Sequence, residues 1–424
     1  MYKVIVLGSG PAGLFAALEL ESLGVKDILL IDKELYSSGG LKNDVKLNFD
    51  SRIGIDLEHP YVEDIIQKIK SVFVEFPKCS QVTCADDVRI KEWEDVAQEH
   101  GVEFIAPDQW HIGTNNSKEL IEFLLSKLKH TTVLLNTEIK SISVKDGFVY
   151  FDDDLVGETA IVAPGRSGAY WFREVAKTLG IETYFGPLNV GIRVECSRKI
   201  LDPITDVVYD PKFIFKTKRH RDKVRTFCTN PGGRVRIEKY NGFNLVNGDA
   251  LSDRKTDNTN FALLNTIPLT EPFSDTTEFG RMIALQFHLL GGGKPIVQRV
   301  GDFREGKRSR SETFNSSSKH FDVCTSTLFC TAGDISLGLP ARVVDNLWES
   351  LKLFDKIIPG VLHPSTLLYA PELKFTDIKY VNEGLETTQS RIFVAGDGCG
   401  VSRGIVGAAV SGIIAARNIK ERCF

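Results

Sequence analysis

Hydrophobic residues in this chain follow two rhythms, and the switch between them predicts its elements. Residues 4–7, Val-Ile-Val-Leu, form an unbroken apolar run, and Ala12, Ala16, Leu20 and Leu23 then recur at helical spacing on one face. Between the two stands Gly8-Ser9-Gly10-Pro11-Ala12-Gly13, so the pattern predicts strand, glycine turn and helix. Gly24 suits the helix stop, and residues 28–31 predict a second buried strand ending at Asp32. Further helices are expected over 61–76, ending before Pro77, and over 86–100, running into Gly101. Another follows the caps at Thr114 to Ser117, with Leu120, Phe123, Leu124 and Leu128 on one face. "TVLLNTEIKSISV" reads as a strand, followed by a turn at Asp146-Gly147, the strand "FVYF" and a buried strand running into Pro164-Gly165.

From about residue 181 the texture becomes that of alternating strands, as in "NVGIRVEC", "KFIFKTK", "VRTFC" and "RVRIEKY". Helices are expected near 278–290 and 341–354. The chain then returns to a short buried strand at 392–395 and a helix at 404–419, whose Gly407, Ala408, Ala409 and Gly412 allow close packing.

Length changes this picture by requiring more than one core: 424 residues exceed a single ordinary domain. The composition, 42% apolar and 25% charged, is that of a soluble globular protein. A net charge of −4 gives no global reason to expect nucleic acid or a membrane surface as partner. The first strand starting at Lys3 leaves no room for a leader, and no apolar run has the length of a bilayer span, so a cytoplasmic location is expected. The eight cysteines are scattered, as reduced thiols would be. Cys79 and Cys84 have the C-x4-C spacing of a redox pair but follow Pro77-Lys78 rather than a Gly-Gly turn, which favours an ordinary loop or core pair. No cysteine spacing matches a zinc knuckle, and no metal is expected.

The glycine turn carries the clearest chemistry. Gly8 permits the tight turn, Gly10 admits phosphate oxygens to the backbone, and Gly13 lets helix and strand pack closely; Pro11 and Ala12 open a helix whose N–H groups and dipole face negative charge. Asp32 stands at the distance expected of a ribose hydroxyl partner, beside Lys33, and would repel a 2′-phosphate. Gly40 lies in the Gly39-Gly40 turn that follows, which is equally a plain surface loop. NAD and FAD share the ADP half, so this motif alone does not separate them.

The later motifs separate them by resemblance. The order GxGxxG, then "AIVAPG", then "IFVAGDG" resembles the glutathione-reductase-like superfamily of FAD proteins. The resemblance implies FAD as cofactor, with Asp397 at the ribityl chain and Gly396, Pro164 and Gly165 at strand ends close to it. A helix opening at Gly404 and Ile405 would aim N–H donors at the charge that hydride transfer leaves on the flavin, and Arg403 adds a cation. More narrowly, "WHIGTN", "APGRSGAYWF", "NVGIRVE", "VRTFCTNPGG", "LGGGKPIVQRVGDF", "LLYAPELKF" and "AGDGCGVSRGIVGAAVSGI" are similar to the family of uncharacterised FAD-dependent dehydrogenases. Family members often read "FCMCPGG" or "FCMNPGG" where this chain reads "FCTNPGG", leaving Cys228 as the cysteine there. The implied architecture is α/β: a discontinuous Rossmann-like FAD-binding domain (1–56, 109–172, 370–424), a mainly β substrate or cap domain (173–369) and a helical insert (57–108).

The implied activity is that of an FAD-dependent dehydrogenase or reductase, moving a hydride between flavin and a small molecule. A tRNA-modifying flavoprotein and a non-catalytic FAD-binding redox sensor are the alternatives. Residues 212–240 hold ten Lys or Arg against two acids, and "RVGDFREGKRSR" adds five more basic residues. Such clustering marks either an anion site or a solvated hairpin; nucleic acid is disfavoured because few aromatic residues interleave. Cys228, Asn230 and Gln298 to Asp302 are polar groups beside turns, able to face a flavin or to hold the turns together, and His111 is a loop histidine of the same kind. No catalytic acid or base stands out. No second strand, GxGxxG and helix unit occurs between 166 and 390, so NAD(P)H, if used, docks only transiently.

Overall fold

The computed structural model describes the chain except for residues 36–40, 42–44, 51–60, 85–86, 153, 241, 268, 270, 272, 316–323 and 375–377. The principal strands in chain order are β1 (Tyr2–Leu7), β2 (Ile28–Ile31), β3 (Thr132–Leu134), β4 (Ile142–Lys145), β5 (Phe148–Phe151), β6 (Leu155–Val162), β7 (Leu188–Ser197), β8 (Lys212–Lys216), β9 (Lys223–Asn230), β10 (Arg234–Tyr240), β11 (Phe243–Asp249), β12 (Asn258–Ile267), β13 (Ile296–Arg299), β14 (Leu367–Lys374) and β15 (Ile392–Val394). The principal helices are α1 (Pro11–Ser22), α2 (Val62–Val74), α3 (Arg89–Glu99), α4 (Ser117–Ser126), α5 (Gly165–Thr178), α6 (Arg198–Thr205), α7 (Thr276–Leu290), α8 (Ala341–Ile357) and α9 (Gly404–Cys423).

These elements form two compact units. The first comprises Met1–Gln81, Trp110–Gly186 and Thr376–Phe424, and the second Val82–Gln109 and Pro187–Phe375. The segment expected as one helical insert, 57–108, is therefore divided: α2 belongs to the first unit and α3 to the second. The amphipathic pattern reports that each helix has a buried face, but not which core that face joins.

In the first unit a mixed sheet has the order β15-β6-β1-β2-β3 at its centre, every neighbour parallel. Val4, Ile5 and Val6 are wholly buried because parallel strands are covered on both faces, which is why they read as a continuous apolar run. The chain steps from β1 through β2 to β3, then resumes on the other side at β6 and β15. The order thus reverses beside β1. The expected long strand over 132–144 is interrupted: Asn136 takes a left-handed backbone with φ of 54°, the Asn136 amide donates to Glu34 O, and the Thr137 amide donates to Asp32 O. α5, not foreseen from the pattern, begins at Gly165 directly after the strand end.

In the second unit an eight-stranded sheet carries the order β13-β14-β7-β12-β9-β8, antiparallel throughout that run. Alternation sorts its residues cleanly. Val190, Ile192, Val194 and Cys196 of β7 join Phe261, Leu263 and Phe213 in an apolar core with Leu201 of α6, Phe287 of α7 and Leu347 and Phe354 of α8. The register pairs Arg193 with Ala262 and Tyr369, and Glu195 with Asn260, so these residues occupy the opposite face. The β10–β11 hairpin packs on part of that face, where Val235 and Val246 meet Leu367 and Tyr369.

Candidate functional site

At the carboxyl ends of β1, β6 and β15 the backbone converges so closely that side chains are excluded. A Cβ on Gly8 would overlap the Ala163 carbonyl oxygen, and one on Gly13 would overlap the carbonyl oxygen of Gly8. Gly8 also holds φ at 101°, which other residues avoid. A Cβ on Gly398 would overlap the Gly165 carbonyl oxygen, and one on Gly412 of α9 that of Ala12 in α1. Glycine is thus demanded at the two loops and at the helix crossing that frame the corner. Gly10 caps α1 in extended conformation, Pro11 takes its first turn, and the Leu14 amide donates to Gly10 O at 2.9 Å.

Asp32 is buried at the head of this corner. Its Oδ2 accepts from the Ser9 amide at 2.7 Å and from Ser9 Oγ at 2.8 Å, while Oδ1 accepts from the Glu34 amide at 2.9 Å. The acid therefore braces the glycine turn, a task that spacing alone did not reveal. Lys33 is exposed, and Gly40 lies outside the described residues. Gly396 has φ of 84°, and its amide donates to Ser411 Oγ at 2.9 Å. Asp397 folds toward the start of α9: Oδ1 accepts from Ser402 Oγ at 3.0 Å and Oδ2 from the Gly404 amide at 3.1 Å. Gly404 is exposed, Arg403 and Pro164 are half-buried, and Ile405 is buried. Gly8, Gly10, Pro11, Ala12, Gly13, Asp32, Pro164, Gly165, Gly396, Asp397, Arg403, Gly404 and Ile405 all belong to the first unit.

The second unit holds polar groups that no motif announced. Arg193, wholly buried, is clamped by Glu372, with Nε donating to Oε2 and Nη2 to Oε1, both at 2.7 Å. Its Nη1 donates to Asn260 Oδ1 at 2.8 Å and to Cys228 O at 3.1 Å. Burial works against the charge of Arg193, but the Glu372 carboxylate outweighs it and holds the guanidinium above its ordinary pKa. Asn230 Nδ2 donates to Asn260 Oδ1 at 3.0 Å, and a Cβ on Gly248 would strike this cluster. Cys228 joins through its carbonyl and takes a left-handed backbone, φ 45°.

Two residues along β7, on the same face, buried Glu195 accepts from Thr327 Oγ1 and Tyr369 Oη, and Tyr369 shares a hydrogen with Ser326 Oγ at 2.7 Å. Burial pushes the Glu195 carboxyl above its ordinary pKa despite these donors, and burial with the nearby Glu195 charge pushes the Tyr369 phenol well up. The folded protein thus binds a proton that the unfolded chain releases as pH rises past about 4.5, and stability from this group falls as pH climbs from there toward the raised folded value. Glu195→Gln should remove that slope. Urea titrations between pH 4 and 8 should show the wild type losing stability relative to the variant as pH rises; a constant difference would contradict the assignment.

Residues 187–374 match the family model described as "FAD-dependent protein, C-terminal domain-like". The match covers almost all of the longer segment of the second unit, and the reading of FAD as the cofactor agrees with it. An uncharacterised protein of Clostridium beijerinckii is 26% identical over 459 aligned positions, covering 99% of this chain and 81% of that protein. Among solved structures, p-nitrophenol 4-monooxygenase PnpA from Pseudomonas putida is similar at 11% identity and a TM-score of 0.40, covering 99% of this chain and 79% of that one. Glycine oxidase from Bacillus cereus is similar at 12% identity and a TM-score of 0.39, covering 100% and 96%. No described helix is long and apolar enough to cross a membrane.

The remaining sequence candidates resolve individually. Gln298 is buried and spans two turns, Nε2 donating to Lys307 O at 2.7 Å and Oε1 accepting from the Ile335 amide at 2.9 Å. It holds loops together. His111 is buried, and its carbonyl accepts from Ser80 Oγ. All eight cysteines are free thiols, and burial pushes Cys79 and Cys330 up to about 12. The basic turn between β8 and β9 is tied to α8: Arg219 pairs with Asp345 at 2.8 Å, the Lys218 amide donates to Glu349 Oε1 at 2.6 Å, and Arg342 pairs with Asp222 at 2.6 Å. Replacing Lys216, Lys218 and Arg219 with alanine should therefore leave flavin content unchanged and shift stability by less than about 1 kcal/mol, measured by urea unfolding.

Arg193, Glu195, Tyr369 and Glu372 were missed as candidates because each stands inside an otherwise apolar strand. The signal was present in "NVGIRVEC", where period two puts Arg193 and Glu195 on the same face, opposite Val190, Ile192 and Val194.

Proposed function

We propose that this chain is an FAD-dependent oxidoreductase of dehydrogenase or reductase type, moving a hydride between the flavin and a small-molecule substrate. The first unit is read as a discontinuous Rossmann-like domain that holds the cofactor. The supporting observation is the glycine corner at the reversal of strand order, where dinucleotides bind in open parallel sheets. Its donor set fits FAD: the opening of α1 offers backbone N–H groups to the pyrophosphate, and Asp32, with lone pairs beyond those used by Ser9 and Glu34, meets ribose hydroxyls. Asp397 meets the ribityl chain.

The bound flavin would supply a two-electron acceptor and donor. The protein's part is to hold it and to stabilise charge. The opening of α9, a twenty-residue helix, presents a positive dipole end, with Arg403 beside it, toward electron density gained on reduction. Asp397 and Ser402 keep this turn in place.

Purified protein should be yellow, with a flavin spectrum, and Asp397→Ala should release FAD more readily on gel filtration. Colourless protein that binds NAD but not added FAD would refute the reading. In anaerobic stopped-flow mixing, NADH and NADPH should bleach the flavin slowly, because no second nucleotide-binding turn occurs between residues 166 and 390 to position the nicotinamide. Fast, saturable bleaching would instead make the protein an NAD(P)H-dependent reductase. The RNA alternative rests on the basic stretch, in whose turn Arg219 is paired with Asp345 of α8.

A further inference from the structure

We propose that Glu19 of α1 is a positioning residue for the flavin: its ion pair with Arg417 sets where the opening of α9 stands, and through that the reduction potential; this rests on the oxidoreductase reading above. Oε1 of Glu19 accepts from Arg417 Nε of α9 at 2.8 Å, and Oε2 pairs with Lys68 of α2. One carboxylate thus joins three helices of the first unit. Glu19 is 2% exposed, whereas the Lys68 and Arg417 side chains are 42% and 31% exposed, so the cost of burial falls on the acid. Its neighbours on α1, Phe15, Ala16 and Leu20, are buried and apolar, and an apolar side chain in its place would pack without that cost. Packing alone gives no reason for an acid there.

The pair reaches the cofactor end through the geometry of α9. Gly412 meets Ala12 near the opening of α1, and Arg417 meets Glu19 further along, so the two helices advance in the same sense and both open at the glycine corner. A contact between small residues sets how closely two helices approach. A directional ion pair sets where along its neighbour a helix sits. α9 is also held at Ser411, whose Oγ accepts from the Gly396 amide, just past the end of β15, at 2.9 Å. At the helical rise, Arg417 lies about 9 Å beyond Ser411 and Gly404 about 10 Å before it. α9 is therefore a lever with nearly equal arms. A tilt about Ser411 moves Gly404 about as far as it moves Arg417, in the opposite sense. The field of a helix opening is confined to its first turn, so displacing Gly404 weakens it where reduction adds charge. The Arg417 charge stands about 20 Å along α9 from Gly404, well past the Debye length of about 8 Å at physiological salt. It acts there by position.

The test compares flavin-loaded Arg417→Met, Arg417→Lys and Lys68→Met with wild type by anaerobic reduction against a reference dye. Arg417→Met should favour oxidised over reduced flavin about tenfold, which lowers the two-electron potential by about 30 mV. Arg417→Lys, which keeps a cation opposite Glu19, should recover most of that shift. Lys68→Met removes an equal charge from the same carboxylate but no anchor of α9, and should keep the wild-type potential. Hydrogen exchange gives a second readout: amides over residues 404–410 should exchange about tenfold faster in Arg417→Met and at the wild-type rate in Lys68→Met, with flavin present or absent. Should Arg417→Met fail to fold, Glu19→Gln takes its place, since it weakens the same pair and leaves α9 unaltered. An unchanged potential in the folded variant, an equal shift in Lys68→Met, or unchanged exchange over 404–410 would overturn the proposal. Yellow protein whose potential ignores Arg417 refutes the lever and leaves the oxidoreductase reading standing. Colourless protein refutes that reading, and the exchange comparison then decides the lever alone.

Discussion

Replacing Gly13 with alanine should yield protein that retains almost no FAD. The added methyl group would overlap the carbonyl oxygen of Gly8 and approach Val6 Cγ1 at 3.3 Å, so α1 must move away from β1. Gly8 cannot yield, because its own space is closed by the Ala163 carbonyl oxygen and its φ of 101° suits glycine. Overpacking of this kind costs about 1–3 kcal/mol, and here the strain falls on the backbone that must cradle phosphate. The measurement is flavin per polypeptide after gel filtration, with circular dichroism to show that the chain remains folded. Gly24→Ala makes the control: nothing lies within 4 Å of its Cβ position, so its positive φ alone is strained, and FAD should be retained.

Glu372→Gln should be the most destabilising single change in the second unit, by about 3–5 kcal/mol. The substitution preserves shape but deprives Arg193, wholly buried, of the carboxylate that clamps it, and removes the carboxylate charge beside Lys374. The other acceptors of Arg193, Asn260 Oδ1, Asn247 Oδ1 and Cys228 O, are neutral, and these do not replace a charge. Urea unfolding should show a lower midpoint with an unchanged slope if the denatured state is unaffected. A loss below about 1 kcal/mol would mean that solvent reaches the pair.

Much of the fold was legible because its signals are local. Val4 to Leu7, the glycine turn, and Ile28 to Ile31 ending at Asp32 each announce an element through neighbours in sequence, and the structure places them as β1, turn and β2. α2 and α3 appeared within a few residues of their expected bounds. What was illegible depends on partners distant in sequence. Asp32 reads as a ribose partner from spacing, yet its hydrogen bonds to Ser9, 23 residues away, become visible only when β1 and β2 are adjacent. Arg193 and Glu372 are 179 residues apart, and neither carries a sign of the other. The break after Leu134 rests on one left-handed asparagine, which apolar periodicity does not encode.

The order of strands in the first sheet also sets when it can be completed during synthesis. β1 and β2 leave the ribosome first, but β6 receives its neighbour β15 only after residues 392–394 have been made. The helix that crosses α1 so closely at Gly412 and Ala12 emerges later still. Between these events the whole of residues 187–375 is translated, enough to form the long segment of the second unit. At typical rates of about 5–20 residues per second, β1 waits tens of seconds for the last part of its sheet. Until then the glycine corner lacks its β15 wall, so cofactor capture belongs to the final stage of biogenesis, and nascent chains halted before residue 392 should carry no flavin.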